Sequence, residues 1–276
     1  MTVFLLSDKN YESLSFACIR SLGNRVSDDV RIVYYTIGFD SDLEFKNLVK
    51  HRIEPDPLYP AFDFYKPGLA LLTMKLFPDE HYLYVDSDIL FSKRFNFDLV
   101  KRDLPYPVAS FGPHEYVYSY TVDSISGEYK RYDENKLMQY FNVQDRTQRY
   151  IWGCFFSFNP KCEDFLSEWR SMCRNEYLMS QRTDYFPFRD ETPLNICLWK
   201  RGATENYGFG FVNTHSLSTI IEVERGASNK LFDNAIDGLG KKWEYVEDSS
   251  KVMFYHGFKE PNSIEEALAY LLSDEA

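Results

Sequence analysis

Asp86 and Asp88 stand one residue apart, directly after the apolar run Tyr82-Leu83-Tyr84-Val85 and just ahead of Ile89-Leu90-Phe91. A short apolar run bounded by polar residues reads as a buried strand. Side chains alternate along a strand, so both carboxylates would leave its end on one face. Like charges that close repel unless a cation lies between them. Mn2+ or Mg2+ supplies such a cation, takes oxygen ligands and commonly also holds a substrate diphosphate. The plainer alternative is a pair of solvated loop acids. A second polar cluster, Ser7-Asp8-Lys9-Asn10, follows another apolar run, Val3–Leu6.

The elements that must position these clusters can be read around them. Val3–Leu6 is a strand, and a helix follows from Tyr11 to Leu22, stopped by Gly23-Asn24. Val30–Ile37 is a β-rich run closed by Gly38, and Leu43, Phe45, Leu48 and Val49 give Asp40–Val49 a helical pattern. Pro55, Pro57 and Pro60 mark a loop. Lys66 then leads into a helix over Pro67–Phe77, with Pro tolerated in its first turn. Strands alternating with helices indicate a parallel sheet with helices on both faces, whose ligands bind at the carboxyl ends of the strands. Both polar clusters fall at such ends. The second half is less regular. Pro105–Phe111, Cys154–Phe158 and Lys251–Tyr255 read as strands, and Glu163–Cys173 and Thr192–Lys200 as helices. Ser263 and Glu266 form a capping box for a closing helix to Leu272. Residues 112–150 are polar and tyrosine-rich with no period.

Three motifs, in this order, carry a resemblance: L-L-S-D-K-N-Y-E-S-L at 5–14, Y-V-D-S-D-I-L-F at 84–91 and F-Y-H-G-F-K-E-P at 254–261. They resemble the donor loop, the metal-binding DxD and the C-terminal His-Gly-Lys motif of glycosyltransferase family 8 and its GT-A relatives. Asp190-Glu191-Thr192-Pro193-Leu194-Asn195 is similar to that family's Asp-Gln-x-x-Leu-Asn run, with Glu191 in place of the Gln. Two departures stand out. Ile151-Trp152-Gly153 occupies the place of Asn-x-Gly, and His256 lies closer to Lys259 than in the family.

The resemblance implies an α/β fold of GT-A (Rossmann-like) type, with a mixed central sheet flanked by helices in a single domain. About residues 1–105 would form the donor half and 106–276 the acceptor and catalytic half. It implies metal-dependent transfer of a sugar from a nucleotide-sugar donor, a UDP-sugar favoured, to a glycan, lipid-linked or protein acceptor, with retention. Asp86, Asp88 and His256 would hold Mn2+ or Mg2+. Ser7, Asp8, Asn10, Tyr11, Lys66, Ser87, Trp152, Gly153, Gly257 and Lys259 would bind the donor. Asp190 and Glu191 would be catalytic, and in an inverting enzyme one of them would be the general base. Each has a bland counterpart. Asp8 and Asp190 could cap helices, His256 could be structural, and Lys66 and Lys259 could be a helix-start and a surface lysine. Tyr116, Tyr118 and Tyr120 could stack on a glycan or pack a lid.

Two other readings compete. A haloacid-dehalogenase-type phosphatase also places DxD after a strand, with the first Asp as nucleophile. A degenerate GT-A domain would bind a nucleotide sugar without turning it over. Composition narrows the field further. With 31 basic and 42 acidic residues the net charge is −11, which disfavours nucleic acid and anionic membrane surfaces as partners. No Gly-rich dinucleotide fingerprint follows the first strand. Five scattered cysteines without a CxxC, and neither a signal peptide nor a transmembrane run, lead to the expectation of a cytoplasmic protein.

Overall fold

The computed structural model describes residues 1–59, 61–111, 121–122, 129–130, 138–145, 147–148, 151–180, 189–205, 207, 210–214, 216–226, 235–236, 242–243, 252–256 and 261–273. The strands are β1 (Thr2–Ser7), β2 (Arg31–Ile37), β3 (Leu48–Ile53), β4 (Tyr82–Val85), β5 (Ile89–Phe91) and β6 (Val108–Phe111). They continue with β7 (Thr121–Val122), β8 (Tyr129–Lys130), β9 (Ile151–Phe158), β10 (Gly210–Asn213), β11 (Ala235–Ile236), β12 (Lys242–Trp243) and β13 (Val252–His256). The helices are α1 (Glu12–Leu22), α2 (Lys66–Leu76), α3 (Glu163–Cys173), α4 (Glu176–Ser180), α5 (Glu191–Lys200), α6 (Leu217–Glu224) and α7 (Pro261–Leu272).

The central sheet has six strands in the order β3-β2-β1-β4-β9-β6. β1 to β4 run parallel, and β9 is antiparallel to both β4 and β6, so the sheet is mixed. Every residue of β1, β4 and β9 is buried, as expected of strands covered on both faces. Alternation then separates two cores. Val3 and Leu5 pack with Cys18, Ile19 and Leu22 of α1 on one face. Phe4 and Leu6 pack with Leu69 and Ala70 of α2 and with Phe165, Leu166 and Trp169 of α3 on the other. A second sheet, β10-β13-β5, closes a third core under α1, α6 and α7. The two short ribbons, β7-β8 and β11-β12, stand apart from these sheets.

Two expectations need correction. Asp40–Val49 is not helical: turns lead into β3, which pairs with β2 over Ile32↔Leu48 to Ile37↔Ile53. β3 is an edge strand with only intermediate or exposed residues, so Lys50 and Arg52 sit on it without cost and blur the alternation that marks strands. The closing helix begins at Pro261, so Ser263 lies inside its first turn and is not its N-cap. β9 also begins at Ile151, ahead of the expected Cys154. Gly257, Lys259, Tyr116, Tyr118 and Tyr120 lie outside the described residues. No helix among the described residues is long and apolar enough to cross a membrane.

Candidate active site

The aspartate pair sits where the chain leaves the central sheet for the smaller one. β4 ends at Val85, Asp86-Ser87-Asp88 makes the turn, and β5 pairs antiparallel with β13. That register sets His256 opposite Ile89, the residue after Asp88. Asp88 Oδ1 consequently lies 3.3 Å from His256 Nε2. The Trp152 ring meets the imidazole edge-on at 4.4 Å between centroids and fixes its plane. The hydrogen bond and charge of His256 outweigh the burial of Asp88 and hold its carboxyl below its ordinary range.

Asp86 turns the other way. Its Oδ1 accepts the Tyr84 hydroxyl at 2.5 Å and lies 3.2 Å from Lys66 Nζ. Its backbone N–H donates to Cys154 O at 2.8 Å, which docks β9 against the turn. Lys66, at the first position of α2, is 2% exposed and gathers the acids of the site. Its Nζ lies 3.5 Å from Asp190 Oδ2 and 3.7 Å from Asp63 Oδ1, and donates to Gly153 O at 3.2 Å. Burial alone would lower the pKa of Lys66, but Asp190, Asp86, Tyr84 and Asp63 more than reverse it. Burial pushes Asp86 up to about 6, against the pull of Lys66.

Asp190 and Glu191 open α5 and are 2% and 7% exposed. Asp190 occupies the N-cap position yet makes no capping bond; its side chain faces Lys66 instead, and its carbonyl accepts Trp169 Nε1–H at 2.9 Å. Oδ2 of Asp190 is buried and accepts no hydrogen bond from the described residues, with Lys66 Nζ 3.5 Å away. Burial raises its pKa to about 8, with Lys66 opposing, and burial with the Asp190 charge raises Glu191 well above the carboxylate range. Glu191 Oε1 accepts the Gly153 N–H at 3.1 Å. Gly153 gives these side chains room: a Cβ would lie 3.1 Å from Glu191 Cγ and 3.3 Å from Asp190 Oδ2. Asn195, one turn on, exchanges two hydrogen bonds with the Ile151 backbone, at 2.8 and 2.9 Å, and so ties α5 to β9.

The remaining expected residues divide. Asn10 is exposed and Tyr11 half-buried at the rim, Tyr11 edge-on to Phe62. Asp8 acts as the cap: its Oδ1 accepts from the N–H groups of Asn10 and Tyr11. Ser7 and Ser87 are taken up by the fold. Ser7 Oγ, fully buried, bonds the Tyr34 hydroxyl at 2.6 Å. Ser87 Oγ donates to Leu6 O at 2.8 Å and accepts from Ser15 Oγ. Lys66, expected at the donor, is enclosed by carboxylates. Two residues escaped the sequence reading: Asp63, and Arg189, whose guanidinium is ion-paired with Asp63 Oδ2. The signal for Arg189 was its place directly before Asp190; Asp63 in F-D-F-Y carries none.

Among the described residues, no group of three or more His, Cys, Asp or Glu side chains is spaced to hold a metal ion. The donors that do meet are one carboxylate and one imidazole, Asp88 and His256. Divalent cations of the Mg2+ type are usually held by one or two carboxylates together with substrate phosphates and water. Asp88 fits that usage as the carboxylate, with the His256 imidazole beside it.

No protein-family model matches the chain. No curated protein matches it either. The fold does have a counterpart: the apo structure of WbbM, a bifunctional glycosyltransferase, superposes with a TM-score of 0.56 at 12% identity, covering 98% of this chain. The chain spans about half the length of that protein, 49%. At that identity the likeness shows the fold alone, a mixed six-stranded sheet flanked by helices.

Proposed function

We propose that this chain is a metal-dependent glycosyltransferase that moves a sugar from a nucleotide-sugar donor, a UDP-sugar favoured, to a glycan, lipid-linked or protein acceptor with retention. The observation that carries this is the Asp88–His256 pair at 3.3 Å, beside a Lys66-centred acid cluster at the carboxyl ends of the parallel strands. Asp88 and His256 would hold Mn2+ or Mg2+, whose chemistry there is Lewis-acid stabilisation of the departing diphosphate, while Asp86, expected among the ligands, is engaged by Tyr84 and Lys66. Tyr11 and Asn10 would receive the base and ribose at the rim, with about residues 1–105 forming the donor half. Asp190 and Glu191 would lie beneath Gly153 beside the transferred sugar; burial holds both largely protonated near neutral pH, so they would act there through hydrogen bonds and not as fixed negative charge.

A phosphatase with Asp86 as nucleophile has less support. That carboxylate must be free to attack phosphorus, and here Tyr84 and Lys66 engage it.

The test is thermal unfolding with UDP, GDP and CDP, each with and without Mn2+. A ligand at a hundredfold excess over its dissociation constant adds about 2.7 kcal/mol. We expect a shift with one nucleotide that requires Mn2+ and disappears in Asp88→Ala, followed by sugar transfer from the matching donor. No shift with any nucleotide overturns the reading. A shift without turnover across acceptors identifies a binding domain.

A further inference from the structure

The mouth of the site is rich in carboxylates, and its central cation faces inward. Lys66 has a side chain 3% exposed and is shared among Asp86, Asp190 and Asp63. A nucleoside diphosphate brings more negative charge to this place, so a cation on the open side is needed. Arg189 has that position. Its side chain is 30% exposed, and its partner Asp63 divides its two oxygens between Arg189 and Lys66. Tyr11 lies beside this pair, edge-on to Phe62, the chain neighbour of Asp63.

The backbone gives a second, independent indication. Arg189 has φ 51°, in the left-handed region. A long side chain there is disfavoured, and such residues persist where the surroundings over-determine them, most often at functional sites. Asparagine or glycine would meet the turn into α5 with less strain. An arginine kept there, one residue before Asp190, indicates that its guanidinium is used.

Resting on the glycosyltransferase reading, we propose that Arg189 grips the donor's diphosphate and that Asp63 is the positioning residue that aims it. The planar guanidinium matches phosphate oxygens in a way an ammonium does not. Lys66 then serves as the internal counter-ion of the acid cluster, and Arg189 as the outward one. Asp63 couples the two, since its carboxylate touches both cations.

The experiment compares nucleoside diphosphates with their nucleosides. UDP, GDP and CDP, and uridine, guanosine and cytidine, are titrated with Mn2+ by calorimetry into wild type, Arg189→Gly, Arg189→Lys and Asp63→Asn. Unfolding is recorded alongside without nucleotide. For the base that wild type binds, Arg189→Gly weakens the diphosphate by about tenfold or more, as expected for a lost charge-assisted bond of roughly 1.5–3 kcal/mol. The nucleoside is unaffected, and the melting temperature without nucleotide falls only modestly, because glycine accepts the backbone and Lys66 still faces Asp63. Arg189→Lys recovers part of the loss, and Asp63→Asn weakens the diphosphate with the nucleoside again unchanged. Equal diphosphate binding by wild type and Arg189→Gly overturns this proposal alone. So does parallel loss of diphosphate and nucleoside, which marks a structural role. Failure of wild type to bind any of the nucleotides overturns the glycosyltransferase reading and this proposal with it.

Discussion

Replacing Lys66 by methionine removes the cation on which the site's acids converge. Its Nζ stands 3.2 Å from Asp86 Oδ1, 3.5 Å from Asp190 Oδ2 and 3.7 Å from Asp63 Oδ1. Deleting one partner of a buried ion pair costs about 3–5 kcal/mol, because the other charge stays buried without compensation. Domain stabilities are roughly 5–15 kcal/mol, so the variant keeps its fold only narrowly. At about 2–4 °C per kcal/mol for a chain of this size, the melting temperature falls on the order of 10 °C. The loss depends on pH, and its sign follows from the acids. Asp86 and Asp190 titrate at about 6 and about 8 in the folded chain, above their ordinary value of 3.8. Between those limits the folded state binds more protons than the unfolded one, so stability declines as pH rises through the window. The rise of Asp86 alone is worth roughly 3 kcal/mol at about 1.36 kcal/mol per unit. Without Lys66 both acids move higher still, and the decline steepens. At pH 5 they carry protons and need no counter-ion. Urea unfolding at pH 5 and pH 8 reads the effect: the difference between variant and wild type at pH 5 is less than half that at pH 8. Equal differences at both pH values, or a loss under about 1 kcal/mol at pH 8, would refute the reasoning.

Two substitutions test the frame around the acids. Gly153→Ala drives a methyl to 3.1 Å from Glu191 Cγ and 3.3 Å from Asp190 Oδ2. It destabilises by about 1–3 kcal/mol in urea unfolding, and a cost near zero would mean that β9 shifts freely over α5. Asn195→Ala strands the buried N–H and C=O of Ile151, at about 1–3 kcal/mol for each group left unpaired. A loss under about 0.5 kcal/mol would show that water replaces the amide.

The parts of this molecule that were legible in its sequence are those where burial and chemistry agree. Tyr82–Val85 and Val3–Leu6 are apolar on both faces because β1 and β4 are covered on both, and the polar residues after them mark the strand ends. Asp190 and Gly153 stand in two separate motifs, and the structure brings them together. The rest depends on what lies across space. β3 was misread because an edge strand may carry Lys50, His51 and Arg52, leaving its Leu48 and Val49 to complete a false helical period with Leu43 and Phe45. Ser7 and Ser87 looked available beside polar neighbours, but their hydroxyls are spent on Tyr34 and the Leu6 carbonyl. Lys66 looked like a ligand-facing lysine at a helix start, and only the approach of α5 and the β4 turn shows that it faces inward. Asp63 had no pattern to display, since its role exists only between Lys66 and Arg189.

The register of β5 against β13 has a wider consequence. Asp88 and His256 come from distant parts of the chain and meet only because Ile89 lies opposite His256 in a three-stranded sheet. The pair is therefore a clasp between the β4–β5 turn and β13, and anything that bridges it fastens that strand. Occupancy of the site and closure of the small sheet become two descriptions of one equilibrium. Amide hydrogens of Val252–His256 would slow their exchange with solvent when the clasp is filled. A chain whose last strand has come loose would lose the imidazole while its central sheet stayed intact.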